Sequence, residues 1–459
     1  MTIADAAPRT GTFFGEPRAL AFLAFTEAWE RFSYYGMTAI LVLYMSQSLF
    51  LPGHVEHVAG FAAFRAGLES VFGTMSPLAL ASQIFGIYTA FVYFTPVLGG
   101  LIADRWLGRR TAVTIGAVSM SAGHIAMAFD ASFLLALTLL IVGCGFLKGN
   151  ISTQVGTLYA PDDAAGRTRG FSIFSIGINV GAVAGPLLCG LLAQLFGWHV
   201  GFGLAGVLML LGLATYLAGY RELSDTVRSM QSVHSVHSAD SAKAPLDRAQ
   251  WRIVVGLFAV MAITVFQSIA YYQNSNIALI WTDSSVNLDL LGFHVPVAWF
   301  NSIDPLISIA AVPFLLALWR RQARGGREPG EVAKIGTGAW LACLANLLLV
   351  ASCAMTDRVP VLVPVVYDVL LGVAFLYYWP TLLALVSRAA PPGLRATLMG
   401  TVFLTLFVAN FAVGWLGGFY EAMTPLAFWA MHAGISAVGG VLAWLFGGRL
   451  ERMLAQPEA

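Results

Sequence analysis

Charge is scarce in this chain. Only 11% of its 459 residues are Asp, Glu, Lys or Arg, against about 25% in an ordinary soluble protein. A soluble fold built from it would have too little polar surface to face water. Cysteine is scarce as well, and four residues in this length exclude a disulfide scaffold. With 58% hydrophobic and 12% aromatic residues, neither a collagen-like nor a disordered chain fits. A net charge of +1 argues against nucleic acid as the main partner. The alternating apolar pattern of an outer-membrane barrel is missing too. What is present is apolar length all along the chain, so the expected class is an all-α membrane protein.

A helix needs roughly 20 apolar residues to cross the hydrocarbon. Twelve segments qualify, at approximately 19–45, 78–101, 111–129, 132–155, 170–196, 200–219, 253–281, 297–319, 335–354, 360–387, 397–420 and 425–447. The longest polar interruption, 221–250, is rich in Ser, Asp and His and has no apolar period. It reads as a flexible cytoplasmic linker between an N-terminal six-helix bundle (1–220) and a C-terminal one (251–459). Such a 6+6 plan suggests a transporter with its site between the bundles. A second long loop, 46–77, follows the first span.

Lys and Arg favour cytoplasmic loops. With the N-terminus inside, 21 of the 25 basic residues lie on the cytoplasmic side. Arg65 and Arg358 lie outside, and Arg31 and Lys148 lie within spans. Both termini are therefore expected inside. No signal peptide is expected, because the first 18 residues lack an apolar core segment. Cys144, Cys189, Cys343 and Cys353 fall in spans, where packing is the expected role. The pairs His54/His57 and His234/His237 sit in loops and read as solvated surface rather than metal ligands. No metal or cofactor is expected.

The informative charges are those inside spans, where each costs about 2.5–3.5 kcal/mol at a helix centre on insertion scales. They are Glu27, Glu30, Arg31, Lys148, Asp304 and Asp368. At about 100° per residue, Glu27, Glu30, Arg31, Tyr34 and Tyr35 share one stripe roughly 140° wide. Glu27 and Arg31 are i,i+4 neighbours in the favourable acid-first order. The stripe either glues helices together or, through the surplus carboxylate that two acids leave against one base, takes up protons reversibly. Lys148 either snorkels to the headgroups or holds a substrate carboxylate or a span 1 acid. Asp304 and Asp368 each lie about eight residues into an inward-running span, roughly 12 Å deep at 1.5 Å per residue. Asp368 either faces the outer mouth or shares the depth of Asp304. Tyr271, Tyr272, Tyr377, Tyr378 and Trp379 are either core aromatics or the wall of an aromatic pocket.

Between spans 2 and 3 runs Gly99-Gly100-Leu-Ile-Ala-Asp104-Arg105-Trp-Leu-Gly108-Arg109-Arg110. Its glycines allow close helix approach and a tight turn, and Asp104 can cap the next helix or pair with the arginines. This reads as a conformational latch rather than a substrate site. The pattern resembles the loop motif of the major facilitator superfamily, whose fold is two six-helix bundles. Glu27-Ala-Trp-Glu30-Arg31-Phe-Ser-Tyr34-Tyr35-Gly36 resembles the first-helix ExxERFxYYG signature of the proton-dependent oligopeptide transporter (POT) family. The stretch 171–181, FSIFSIGINVG, resembles that family's fifth-helix signature, and Phe146-Leu-Lys148-Gly-Asn150-Ile its fourth-helix lysine motif.

The resemblance implies a proton-coupled symporter that imports di- or tripeptides, or peptide-like molecules, by alternating access, and not an enzyme. A proton-linked importer or exporter of a non-peptide metabolite is the alternative. Glu27, Glu30, Arg31 and Lys148 would couple protons, while Lys148, Tyr34, Tyr35 and Asn179 would bind substrate. The setting would be a plasma membrane, and the Arg-rich, Ala- and Gly-rich composition hints at a bacterial inner one. Departures from the family pattern are also plain. Thr38 stands where relatives often carry a cavity-facing base. The seventh-helix acid falls on Tyr272, before Gln273. The eighth-helix Asn-Pro reads Asp304-Pro305. The tenth-helix acid falls on Phe375, five residues before Pro380. The expected charge plan is therefore rearranged, with Asp304 and possibly Asp368 replacing the two missing acids. Tyr272, Gln273, Asp304, Tyr378 and Trp379 are the expected C-terminal wall of the site.

Overall fold

The computed structural model of the chain describes residues 12–160, 162–223, 246–354 and 358–455. Among these residues twelve helices have 18 residues or more. They are α1 (Ala19–Tyr44), α3 (Pro77–Ile102), α4 (Arg109–Ala126), α5 (Phe133–Thr157), α6 (Ala164–Phe196) and α7 (Trp198–Ala218), then α8 (Arg248–Tyr272), α10 (Ile303–Arg324), α11 (Glu331–Cys353), α12 (Leu362–Ala389), α13 (Arg395–Gly417) and α14 (Pro425–Leu454). Two short helices join them, α2 (Phe61–Phe72) in the long first loop and α9 (Ile277–Ser285). Every expected span has its helix. Ten of the twelve are apolar and long enough to cross a bilayer by composition alone, and α1 and α4 are not. The reason is visible in both. Helix α1 carries three charges and is buried along nearly its whole length, so protein rather than lipid surrounds it. Helix α4 opens on two arginines and carries Ser, Thr, Gly and His.

Local chemistry sets the helix ends. Ser76 caps α3, accepting from the Ala79 amide at 3.1 Å, with Pro77 in the first turn. Asp247 and Gln250 form a reciprocal capping box at the start of α8. The structure departs from the sequence reading at span 7, expected as one helix over 253–281. It breaks after Tyr272 into a 3-10 turn, Gln273–Ser275, and a displaced Asn276 (φ −119°, ψ −106°), and restarts as α9. The break falls on the polar run Gln273-Asn274-Ser275-Asn276, which the apolar stretches on either side outweigh when the span is read as a whole. The linker expected over 221–250 lies mostly outside the described residues, as do His234 and His237, and α8 already begins at Arg248.

Helices α1 and α3 to α7 pack on one another, and so do α8 and α10 to α14. The tightest seam of the first set is α1 against α6. Gly177, Gly181 and Gly185 recur every four residues on α6, and a Cβ at Gly181 or Gly185 would stand 2.5 Å from the Ala28 or Phe32 carbonyl oxygen. Only glycine lets the backbones meet there. The two sets meet at a second glycine crossing, Gly86 of α3 on Gly414 of α13.

The arginine-poor face, expected from the charge bias to be the outer one, is stitched shut across the two sets. Gln47 donates to Asp283 at 2.8 Å, Asn276 to Ser82 Oγ at 2.7 Å, and Ser82 to the Gly414 carbonyl at 3.0 Å. Trp299 and Ser302 donate to the α6 carbonyls of Leu187 and Val183 at 2.9 and 2.8 Å. The four cysteines are free.

Overpacking a tight helix seam typically costs about 1–3 kcal/mol. Gly181→Leu is therefore expected to lower the unfolding temperature of the detergent-purified protein. Gly434→Ala, whose Cβ would meet nothing within 4 Å, is expected to leave it unchanged or raise it.

Candidate functional site

A cavity of about 660 Å³ lies between the two sets. From the first set it is lined by Glu27, Arg31, Tyr35, Thr38, Tyr93, Lys148 and Asn179, and from the second by Tyr271, Tyr272, Asn274, Asp304, Phe375 and Trp379, among others. The α1–α6 glycine seam explains part of this lining. It brings the turn that carries Asn179 against the turn that carries Arg31, so both reach the same space.

The α1 stripe forms a closed ionic cluster. Arg31 Nε lies 2.8 Å from Glu27 Oε1 with hydrogen-bond geometry, and 2.6 Å from Glu30 Oε2 as an ion pair without it. All three side chains are buried, Glu30 completely. One carboxylate oxygen of Glu27, both of Glu30 and Arg31 Nη2 lack a hydrogen-bond partner among the described residues. The arginine thus serves two acids and satisfies neither. Glu27 and Arg31 face the cavity, whereas Glu30 stands behind them. Lys148 faces the cavity with no carboxylate in ion-pair range among the described residues. Its ammonium lies 4.6 Å from the Tyr93 ring centre and 5.8 Å from that of Tyr34, a cation–π seat that leaves its N–H groups free.

The opposite wall carries Asp304. It accepts from the Tyr271 hydroxyl and, at 3.5 Å, from Ser308. Phe375 stacks on the Tyr271 ring, with centres 5.4 Å apart. The aromatic residue at the tenth-helix position therefore holds the tyrosine that holds Asp304. Gly372 of α12 completes the seat, since a Cβ there would stand 3.0 Å from Asp304 Oδ1. Tyr93 and Tyr272 meet hydroxyl to hydroxyl at 3.3 Å across the two sets. Thr38 turns its hydroxyl to the Tyr34 carbonyl at 2.9 Å, and Asn179 donates to Ser175 O at 3.0 Å. Both still line the cavity.

Three expected binding residues lie behind the wall. Tyr34 packs edge-on beneath Tyr35, with centres 5.2 Å apart. Gln273 is fully buried against His432 and the Val413 carbonyl. Tyr378 is fully buried with its hydroxyl 3.5 Å from Ser268. The helix break at Gln273 and the one-residue alternation along α12 turn these two inward and leave Tyr272 and Trp379 facing the cavity. Asp368 does not face an open mouth: it is 3% exposed. Tyr93, Asn274, Asn301 and Ser308 line the cavity without having been singled out by sequence. Tyr93 and Ser308 lie on α3 and α10, where a helix-face analysis would have marked them, whereas Asn274 and Asn301 lie in the 3-10 turns Gln273–Ser275 and Val297–Ser302.

At the turn between α3 and α4, Asp104 pairs with Arg109 at 3.2 Å across Gly108, whose φ is +73°. Gly99 lies directly on the Gly145 backbone. Gly100 has nothing within 4 Å and Arg105 is exposed. Of the residues expected to form a latch, Gly99, Asp104 and Arg109 make contacts across this turn, and Gly108 contributes its positive-φ backbone.

Removing one partner of a buried ionic group costs about 3–5 kcal/mol. Arg31→Ala is expected to lower thermal stability strongly, and the triple variant with Glu27→Gln and Glu30→Gln to recover much of it. Equal destabilisation in both would show that Arg31 acts by packing alone.

The comparisons with known proteins agree with this geometry. The sequence model of the POT family matches residues 110–239 and 220–429. The uncharacterized transporter YclF of Bacillus subtilis is 31% identical over 97% of this chain and 96% of its own. A di-/tripeptide transporter of Lactococcus lactis is 29% identical over 94% and 95%. Among solved structures, the peptide transporter POT in complex with sulfate is 28% identical with a TM-score of 0.82, covering 97% of each chain. A mutant of it in complex with alafosfalin is 27% identical with a TM-score of 0.83, covering 97% and 98%. Matched by the family model, by full-length relatives and by the fold of solved members, the chain is a multi-pass membrane protein of the POT family.

Proposed function

We propose that this chain is a proton-coupled symporter that imports di- or tripeptides, or peptide-like small molecules, by alternating access. The observation that carries the reading is the polarity of the cavity. Arg31 and an unpaired Lys148 stand on one wall and Asp304 on the other. A free peptide is a zwitterion, and this arrangement receives its carboxylate on the first set and its ammonium on the second. The aromatic lining by Tyr35, Tyr93, Tyr272, Phe375 and Trp379 gives side chains an apolar, sequence-tolerant surface. Two relatives carry the name di-/tripeptide transporter, and a structural neighbour holds alafosfalin.

Coupling follows from the α1 cluster. With both acids ionised, one arginine faces two negative charges within the buried wall of the cavity. A proton on Glu27 or Glu30 leaves a neutral set. A substrate carboxylate that draws on Arg31 removes its support from the acids, so substrate and proton bind together. A membrane potential adds about 2.3 kcal/mol per elementary charge per 100 mV, which drives uptake against a gradient. Residues 1–220 and 251–459 are the rocking units, joined by 221–250, and the Asp104–Arg109 turn latches one end state. The chain resides in a bacterial inner membrane with both termini cytoplasmic. It uses no cofactor beyond the coupling proton, and it performs no chemistry on its cargo.

The test is made in proteoliposomes. Glu30→Gln is expected to abolish gradient-driven uptake while retaining counterflow exchange. Full concentrative uptake by the variant would refute the coupling role.

A further inference from the structure

One buried acid plays no part in the scheme above. Asp368, on α12, is 3% exposed and has no hydrogen-bond or ion-pair partner among the described residues. It lines a separate cavity of about 10 Å³, close to the smallest space that holds a single water. Asn274 belongs to the wall of both this cavity and the central one. The roof is α9, through Ala278, Leu279, Trp281 and Thr282.

No cation faces Asp368 from the elements around it. Helix α9 offers the four residues just named, the turn before α10 offers Phe300, and α11 offers Leu349. Its own helix adds Tyr367. Helix α14 brings Trp429 against Tyr367, and His432 of that helix is engaged with the Phe428 carbonyl at 3.0 Å and with Gln273 at 3.1 Å. Asp304 is the charged group whose field reaches Asp368, and it carries the same sign. An ionised carboxylate without a partner in such a place costs several kcal/mol. The neutral acid does not.

Helix α9 is also a seal of the outer face. Asn276, at its start, donates to Ser82 of α3, and Asp283, near its end, accepts from Gln47. The same nine-residue element that closes the outer face therefore removes Asp368 from water. It is joined to α8 by an irregular turn, the kind of junction at which a helix can swing.

We propose that Asp368 is a second proton site of the transporter, and that α9 closes over it only after it has taken a proton from the outer solution. The proton passes from outer water to a carboxylate oxygen while α9 is displaced, turning the ion into the neutral acid. It is held there while the outer face is shut, and it leaves as the ion re-forms, past Asn274 into the water of the central cavity. This rests on the reading of the chain as a proton-driven transporter, but the gating step is measured without transport.

The experiment places spin labels at Leu51→Cys and Leu291→Cys in a Cys353→Ala background. The two labelled positions are exposed, at 42% and 102%, on opposite sides of the outer seam. In the otherwise unaltered protein, raising pH is expected to shift the distance distribution toward longer, open values. Asp368→Asn, which is neutral at every pH, is expected to keep the short population at alkaline pH. Asp368→Glu, which keeps a titrating group in the cavity, is expected to keep the response with a moved midpoint, and it carries the test if the asparagine variant does not fold. An unchanged pH response in Asp368→Asn, an unmoved midpoint in Asp368→Glu, or no response in the parent overturns the proposal. In proteoliposomes, reversal-potential measurements on Asp368→Asn should give one proton fewer per substrate than the parent. An unaltered ratio also overturns it. A parent with no coupling at all would refute the symport reading instead, and leave the spin-label result to decide the gate.

Discussion

Glu27, Arg31 and Glu30 stand within little more than one turn of α1, all buried, with Glu27 and Arg31 at the cavity wall and Glu30 behind them, and each needs the others. Two acids and one base cannot all be satisfied, and the unpartnered oxygens of both glutamates record that. Burial on this scale demands helices all round α1, which the α6 glycine seam and the α3, α5 and α7 contacts supply. That burial also makes α1 a poor membrane span by composition. A helix of this kind is stable only inside a bundle, so the charge cluster and the fold depend on each other.

The second set answers the first with a different chemistry. At the positions where the family resemblance leads one to expect acids on the seventh and tenth helices, this chain has Tyr272 and Phe375. The acid on this wall is Asp304, held by Tyr271 and seated against Gly372. The replacements work as a group: Phe375 stacks on Tyr271, and Tyr271 bonds Asp304. Lys148, released from a carboxylate partner, rests on the Tyr93 ring. A substrate carboxylate would then meet a base that has no ion pair to break.

Much of this was legible in the sequence because the bilayer imposes a strict rule. Backbone polar groups must be satisfied within the segment, so apolar length marks helices, and the twelve spans follow. Rare charges in those spans point to the site, and Glu27, Arg31, Lys148 and Asp304 do meet at one cavity. What was hidden depends on helix rotation and on backbone breaks. Tyr378 and Trp379 are adjacent aromatics, and only packing decides which one faces inward. The break at Gln273–Asn276 is a short polar run between two apolar ones, and its backbone path buries Gln273 while turning Tyr272 to the cavity. Asn274, Asn301 and Ser308 acquire meaning only when the two sets are brought together around the cavity. The burial of Asp368 depends on α9, and no hydropathy pattern announces that short helix.

The central claim is that one wall of the cavity receives a cationic end of the substrate and the other an anionic end. The direct measurement is ligand-induced thermal stabilisation of the purified protein by dialanine, N-acetyl-dialanine and dialanine amide, in the parent and in Asp304→Asn. The account predicts that dialanine stabilises the parent and that either modification removes most of the effect. It also predicts that Asp304→Asn no longer distinguishes the free amine from the acetylated one while still rejecting the amide. Equal stabilisation of the parent by dialanine and by both modified forms would contradict it.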